Sequence, residues 1–389
     1  MGIRNFIRAF KGYRQYQSMG IERPPIAFYS EMDSDRIYFE PIIHRLIHDH
    51  HQKILYLTSA GIDPLLEAPP DGLIPIYIGE GAFRTLLFLK INVLLFVMTL
   101  PDLQNFYLKR SKHSIHYVYI FHSLVSTHMV YRQMAFNAYD SLFCVGPHHE
   151  QEIREAERLY NLPKKQLISH GYPRIDKIIS DYHLWLAHFP KKTNDLVVIL
   201  VAPSWGPTSI SKLYAKQIVE KLLTAGYAVI YRPHPMTLRD EPVFKRKMLN
   251  QFASYVTFTF DDNIVNSESL FIADIMVSDW SGVALEFSLC TQKPVIFIDT
   301  PPKCNNPEFN RFESIPIEFI LREELGIIVT PENIEKLPQI IKQLLPTFKE
   351  IRGRILKLRD RIIYNLGSAD KVGARELMKL LDKQQEKTL

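Results

Sequence analysis

Four short stretches of this chain bring together residue types that can handle a phosphorylated substrate. In YIFHSLVSTH, His122 and Ser123 follow the apolar run 117–121. A histidine at the carboxyl end of a strand can reach a cleft, and its near-neutral pKa suits a general base. In LVAPSWGPTS, Pro203, Ser204, Trp205 and Gly206 follow another apolar run. Backbone donors there can meet a phosphate, and the indole can stack on a base. In VIYRPHPMT, Arg232 and His234 alternate with prolines that restrict the loop and fix side-chain directions. The guanidinium can grip phosphate bidentately, and the imidazole can hydrogen-bond or protonate a phosphoryl oxygen. The fourth stretch, 273–300, reads ADIMVSDWSGVALEFSLCTQKPVIFIDT. Its Asp279, Ser281 and Gly282 fall where a strand ends and a helix begins, a place that seats anions on free backbone N–H groups. Glu286, one turn into that helix, suits hydrogen bonds from ribose hydroxyls. Each stretch also has a plainer reading: a satisfied core histidine, a packed tryptophan, an ordinary N-cap serine.

The elements that must position these residues follow from hydrophobic patterning. Apolar runs at 26–29, 54–57, 74–78, 93–98, 117–121 and 142–145 read as buried strands. Helical segments are expected at 41–49, 83–90, 129–139 and 149–160, with Pro41 in a first turn. The segment LISHGYPRID (167–176) reads as the approach to a linker at 180–194. Alternation then resumes, with strands at 196–201, 228–231, 275–277, 294–298 and 327–329 and helices at 212–225, 241–252 and 283–290. Such alternation predicts an α/β protein of two doubly wound parallel-sheet domains, 1–185 and 186–389.

The 389 residues carry a net charge of +5, which fits an anionic substrate or membrane surface better than a nucleic-acid partner. Residues 1–18 set Phe6, Ile7, Phe10 and Tyr13 at helical spacing with Arg4, Arg8, Lys11 and Arg14 between them. That pattern suits a helix lying on anionic lipid, or one packed on its own domain. A second basic cluster, 349–361, joins that surface or is a solvated helix face. The most apolar window, 86–100, contains Lys90 and Asn92 and is too short to span a bilayer. A cytoplasmic, peripheral location follows as the expectation, with the three cysteines reduced. His44, His48 and His51 are expected to face solvent. His148, His149 and Glu152 have metal-like spacing but sit where a helix opens. No metal or other cofactor is called for.

The order of the motifs resembles the CDP-glycerol glycerophosphotransferase family, the teichoic-acid and capsule polymerases and primases. The resemblance rests on His122-Ser123, GYPRID (171–176), APSW (202–205), RPHP (232–235) and SDWSGVALEF (278–287), and extends over roughly residues 115–375. It implies a GT-B fold, with two facing Rossmann-like domains and C-terminal helices crossing back to the first. It also implies His122 as the base and His234 against the donor phosphates, with Arg232, Ser204, Ser281 and Gly282 beside them. Pro203, Trp205, Asp279 and Glu286 would meet the nucleotide. The chain departs from the family pattern three times. His-Gly is His122-Ser123, Asp-Tyr-Ser-Ser is Asp279-Trp280-Ser281-Gly282, and Phe-Asp-Phe is Leu285-Glu286-Phe287. Those changes leave CDP-glycerol, another CDP-alditol or a nucleotide sugar as the donor.

The expected reaction moves glycerol phosphate from CDP-glycerol to a hydroxyl of a lipid-linked surface polymer at the inner face of the membrane, releasing CMP. A GT-B glycosyltransferase using a nucleotide sugar is one alternative. A catalytically inert nucleotide-binding or scaffold subunit of a capsule-assembly complex is the other.

Overall fold

Two stacks of short apolar strands carry the molecule. The computed structural model describes residues 3–189, 196–263 and 266–387. In the first stack, β1 (Ile26–Ser30), β2 (Ile54–Thr58), β3 (Leu73–Tyr77), β4 (Leu95–Met98), β5 (His116–Ile120), β6 (Ser141–Cys144) and β7 (Gln166–Ser169) pair in the order β3-β2-β1-β4-β5-β6-β7. Every pairing is parallel, with Tyr29 beside Met98 across the centre. β1, β2 and β4 are buried along their whole length, because helices cover both faces of the sheet.

The second stack holds β8 (Val198–Val201), β9 (Ala228–Tyr231), β10 (Phe258–Phe260), β11 (Ile275–Ser278), β12 (Val295–Ile298) and β13 (Gly326–Val329). Its order is β10-β9-β8-β11-β12-β13, again all parallel. Both sheets therefore reverse strand order at one point, between β1 and β4 and between β8 and β11. Ligands of open α/β sheets bind beyond such points.

Several elements differ from the sequence expectation. The helix with Pro41 begins earlier and runs over Arg36–His48, so the proline lies inside it. An interior proline costs about 3 kcal/mol. Burial of Ile42, Ile43, Leu46 and Ile47 on the same helix offsets it, at ~1.5–3 kcal/mol each. Residues 129–139 form turns rather than a helix. β7 and β10 were not anticipated; both are partly exposed edge strands, and β7 carries Gln166 and Ser169 instead of a continuous apolar run. GYPRID opens a helix, Pro173–His188, which runs through most of the expected linker. Residues 190–194 of that linker lie outside the described residues.

The C-terminal helices return to the first sheet. Phe348–Ile362 buries Ile351, Ile355, Leu358 and Ile362 as one stripe. From the basic cluster, Arg352 Nε donates to Gln292 Oε1 (2.7 Å) and Arg354 Nε to the Glu324 carbonyl (2.7 Å), tying this helix down. The Tyr364 N–H then donates to the Val145 carbonyl at 2.9 Å. The last helix, Ala369–Glu386, packs on Arg36–His48, with Arg45 Nε 2.7 Å from Asp370. His44, His48 and His51 stay on the exposed side.

Gly146 makes this return possible, since a Cβ there would lie 1.8 Å from the Ile362 carbonyl oxygen. Gly146→Ala is expected to destabilise the protein by at least about 1–3 kcal/mol, the usual cost of overpacking. Gly353, in the helix just before, has open space around it. Gly353→Ala should stabilise by up to ~1 kcal/mol through helix propensity alone. Urea denaturation midpoints of the two variants should therefore move in opposite directions.

Candidate active site

Asp279 organises the second sheet's switch point. It follows β11 and is almost fully buried. Its Oδ1 accepts from the Ser204 N–H at 2.6 Å and its Oδ2 from the Ile210 N–H at 2.8 Å. Burial pushes its pKa up, and the two N–H donors pull it back. Asp279 thus holds the 203–210 loop across the crevice, and the Ser204 amide is spent on that bond. Sequence reading had placed Asp279 on the nucleotide; its carboxylate is occupied by the loop that carries Pro203, Ser204 and Trp205. Ser281 is the N-cap of Gly282–Thr291, but its hydroxyl caps nothing and is free for another partner.

Across the cleft, His122 lies just beyond β5, with Nδ1 3.1 Å from the Tyr119 hydroxyl. Burial lowers its pKa to about 4, nearby Lys303 adds to the fall, and the Thr99 carbonyl opposes it. The imidazole is therefore neutral at physiological pH. The loop behind it is fastened from both sheets. His148 Nε2 meets the Leu124 carbonyl at 2.9 Å and His149 Nε2 the Val125 carbonyl at 3.0 Å. Glu152 accepts from the Thr127 hydroxyl at 2.7 Å, and Glu318 from the Ser126 N–H at 2.9 Å. The three residues with metal-like spacing are thus braces of the histidine loop. A Cβ on Gly282 would lie 3.1 Å from Ser123 Oγ, so the helix N-terminus abuts the His122-Ser123 turn.

Glu286 faces this junction rather than open solvent. Arg174 Nε donates to both of its oxygens at 2.9 Å, and the Tyr172 hydroxyl is 2.9 Å from Oε1. The same hydroxyl is 2.9 Å from the His122 carbonyl, so Tyr172 links the His122-bearing turn to the second sheet's helix. Burial works against the Arg174 charge, yet Glu286 holds its pKa above the ordinary arginine value. The ribose role expected of Glu286 meets a carboxylate already paired.

His234 caps the short helix Pro235–Asp240, its Nδ1 accepting from the Met236 N–H at 3.1 Å. That bond leaves the proton on Nε2. Burial and Lys303 lower its pKa to about 3, making it a neutral donor. Trp205 lies beside it, ring centroids 6.0 Å apart. Arg232 turns elsewhere: its NH1 donates to Asp261 (3.0 Å), the Asn266 carbonyl (2.8 Å) and Ser269 Oγ (2.7 Å). A buried guanidinium requires such partners, and through NH1 Arg232 braces the segment after β10. The residue that sequence reading missed is Lys303, in PPKCNN beyond β12. Its ammonium sits 4.3 Å from the centre of the Trp205 ring. A single lysine between prolines and asparagines carries no motif signal; the proline pair at a strand end was the only cue.

Because burial and Lys303 hold His122 near pKa 4, it should stay uncharged until well below the ordinary histidine value of about 6.5. If turnover needs the neutral imidazole, its acid limb is expected near pH 4. The unfolded chain binds the proton more readily between those values, so stability should rise with pH from about 4 to about 6.5 and gain nothing further above. An NMR titration of the His122 ring gives the folded-state pKa directly; a midpoint at the ordinary value contradicts the burial described.

Residues 122–300 match the model of the family CDP-Glycerol:Poly(glycerophosphate) glycerophosphotransferase. No curated protein sequence matches the chain. Among solved structures, the wall teichoic acid polymerase TagF soaked with CDPG is 16% identical, covering 98% of this chain and 96% of its own, with TM-score 0.62. A second TagF structure is 15% identical over 99% of this chain and 97% of its own, with TM-score 0.60. UDP-GlcNAc 2-epimerase from Neisseria meningitidis, bound to UDP-GlcNAc, is 12% identical over 91% and 99%, with TM-score 0.56. At such identities the likeness establishes the fold, which is GT-B. The segment 122–300 that matches this family's model holds both histidines and the helix N-terminus at Gly282.

Proposed function

We propose that this chain transfers glycerol phosphate from CDP-glycerol to a hydroxyl of a membrane-linked surface polymer, teichoic-acid-like or capsular, and releases CMP. One observation carries the reading: His122, buried and neutral, sits beside the N-terminus of Gly282–Thr291 within the family-matched segment. In the tautomer whose Nδ1–H donates to the Tyr119 hydroxyl, Nε2 presents a lone pair to an acceptor hydroxyl. The hydroxyl oxygen attacks the β-phosphorus as its proton passes to Nε2. The bond from that phosphorus to the bridging oxygen breaks, and CMP leaves with the electron pair. Charge growing on the CMP phosphate is met by the helix N-terminus at Gly282, the Ser281 hydroxyl and the Nε2–H of His234. In-line phosphoryl transfer asks little more of a protein than positioning and electrostatics. Glu286, whose likeness to a ribose-binding glutamate is one support for the nucleotide-sugar alternative, is paired with Arg174.

The N-terminal helix supplies the membrane contact in this proposal. Ala9, Gly12, Tyr13 and Tyr16 of Ile3–Ser18 are buried against the sheet edge, while Ile3, Phe6, Ile7 and Phe10 keep about half or more of their surface exposed, Phe6 and Phe10 also touching the Phe83 ring. Exposed Arg4, Lys11 and Arg14 flank them. Among the described residues no helix is long and apolar enough to cross a membrane. The helix would lie on anionic lipid at the cytoplasmic face, apolar side chains inserted and cations at the headgroups.

His122→Ala is expected to cut CMP release from CDP-glycerol by ~10²–10⁴-fold, the usual worth of a general base, with CDP affinity nearly intact. His234→Ala should weaken CDP binding as well. A radiolabelled donor panel separates the alternatives: UDP release points to a nucleotide sugar, and no release to a scaffold. Replacing Ile3 and Ile7 by Ser should weaken co-sedimentation with anionic vesicles while the buried face of the helix and the Phe6 and Phe10 contacts with Phe83 keep the fold intact. Sedimentation equal to the unaltered protein would place docking elsewhere.

A further inference from the structure

We propose that Lys303, with Trp205 and His234, forms the cationic seat for the diphosphate of a nucleoside-diphosphate donor. The inference deepens the transferase reading by naming the residue that holds the donor's charge. Arg232, the obvious candidate from sequence, spends its NH1 on Asp261, Asn266 and Ser269. A family of reactions on a diphosphate still requires a cation at the cleft.

Lys303 meets that need by position and by what surrounds it. Its loop is pinned to both halves of the molecule. The Thr300 carbonyl accepts from Trp280 Nε1 at 2.7 Å. Asn305 Nδ2 donates to the Val130 carbonyl and Asn306 Nδ2 to the His128 carbonyl, each at 2.8 Å. The ammonium is thereby held in the cleft over the Trp205 ring, 4.3 Å from its centre, and the His234 ring lies beside the same indole with centroids 6.0 Å apart. Among the described residues no carboxylate or carbonyl accepts a hydrogen bond from it. The nearest acid felt by its charge is Asp279, whose two oxygens are taken by Ser204 and Ile210. A half-buried cation without a counter-ion is unfavourable until an anion arrives. Its charge bears on both His122 and His234, lowering the pKa of each, so the ammonium lies near both rings. Burial lowers the ammonium's own pKa to about 8, so it is mostly charged at neutral pH and discharges just above.

The ligand class that fits is a diphosphate attached to a nucleoside. One phosphate can take the ammonium and the His234 Nε2–H while the base reaches the 203–210 loop. Trp205 then acts as a wall that directs the ammonium, because the cation–π contact fixes the long side chain in place.

Calorimetric titration of the full-length protein with CDP and with CMP, on wild type, Lys303→Met and Lys303→Arg, tests the seat. A charged hydrogen bond is worth about 1.5–3 kcal/mol, so Lys303→Met should weaken CDP binding by ~10–100-fold and CMP binding less. Lys303→Arg should retain most of the affinity. In wild type, CDP affinity should fall as pH rises above about 8, because free protein then loses the ammonium proton that binding requires. The arginine variant should lose that fall, and this readout stands even if the methionine variant proves unstable. Unchanged CDP affinity in folded Lys303→Met, or the same alkaline fall in Lys303→Arg, overturns the proposal. The transferase reading fails separately: if wild type releases UDP from a nucleotide sugar with the same dependence on Lys303, the seat stands and the CDP-glycerol assignment falls.

Discussion

The buried ion pair between Arg174 and Glu286 is the constraint on which the cleft depends. Arg174 opens the last helix of the first sheet's half, and Glu286 lies in the helix after β11 of the second. Both side chains are about nine-tenths buried, and the guanidinium Nε is 2.9 Å from each carboxylate oxygen. Such a pair adds little net stability once desolvation is counted, but leaving either charge alone costs about 3–5 kcal/mol. The two helices therefore have one favoured apposition. Tyr172 extends it by reaching both Glu286 and the His122 carbonyl, so the placement of His122 is coupled to the packing of the halves.

Around that junction the cleft is electrically lopsided. Two histidines are kept neutral by burial, the acid at the switch point is consumed by backbone donors, and a lysine is left without a counter-ion. Positive potential in a low-dielectric cleft draws anions and strengthens every hydrogen bond to them. The same potential adds a little to the burial that keeps His122 unprotonated. Donor binding would partly cancel the lysine's charge, raising the basicity of the histidine when a donor is present.

Much of the polar chemistry visible in the sequence serves to hold loops. Asp279 closes the 203–210 loop, Arg232 braces the segment after β10, and His148, His149 and Glu152 fasten the turn behind His122. Loops at the carboxyl ends of parallel strands carry many backbone groups with no ladder partner, and buried ones must be satisfied. A side chain of catalytic type is well suited to that work, which is why type and spacing alone assign such residues ambiguously.

Apolar runs between turn residues determined nearly every central strand and the doubly wound alternation, because a strand buried on both faces leaves a continuous hydrophobic signature. Motif order also singled out His122, His234 and the Ser281-Gly282 helix start, which the fold brings to one cleft. Edge strands β7 and β10 and the Pro173–His188 helix escaped notice, since half-exposed elements tolerate polar residues and blur the period. Only the tertiary structure decided which polar groups are spent on the protein and which remain for a ligand. Lys303 lies 181 residues from His122 and 69 from His234 in the chain, and no local pattern encodes its place near them. That place follows from two sheets meeting across a cleft and from asparagines that tie the lysine's loop to the opposite half. Partnership of this kind is a sum over long-range contacts, which a linear sequence does not display.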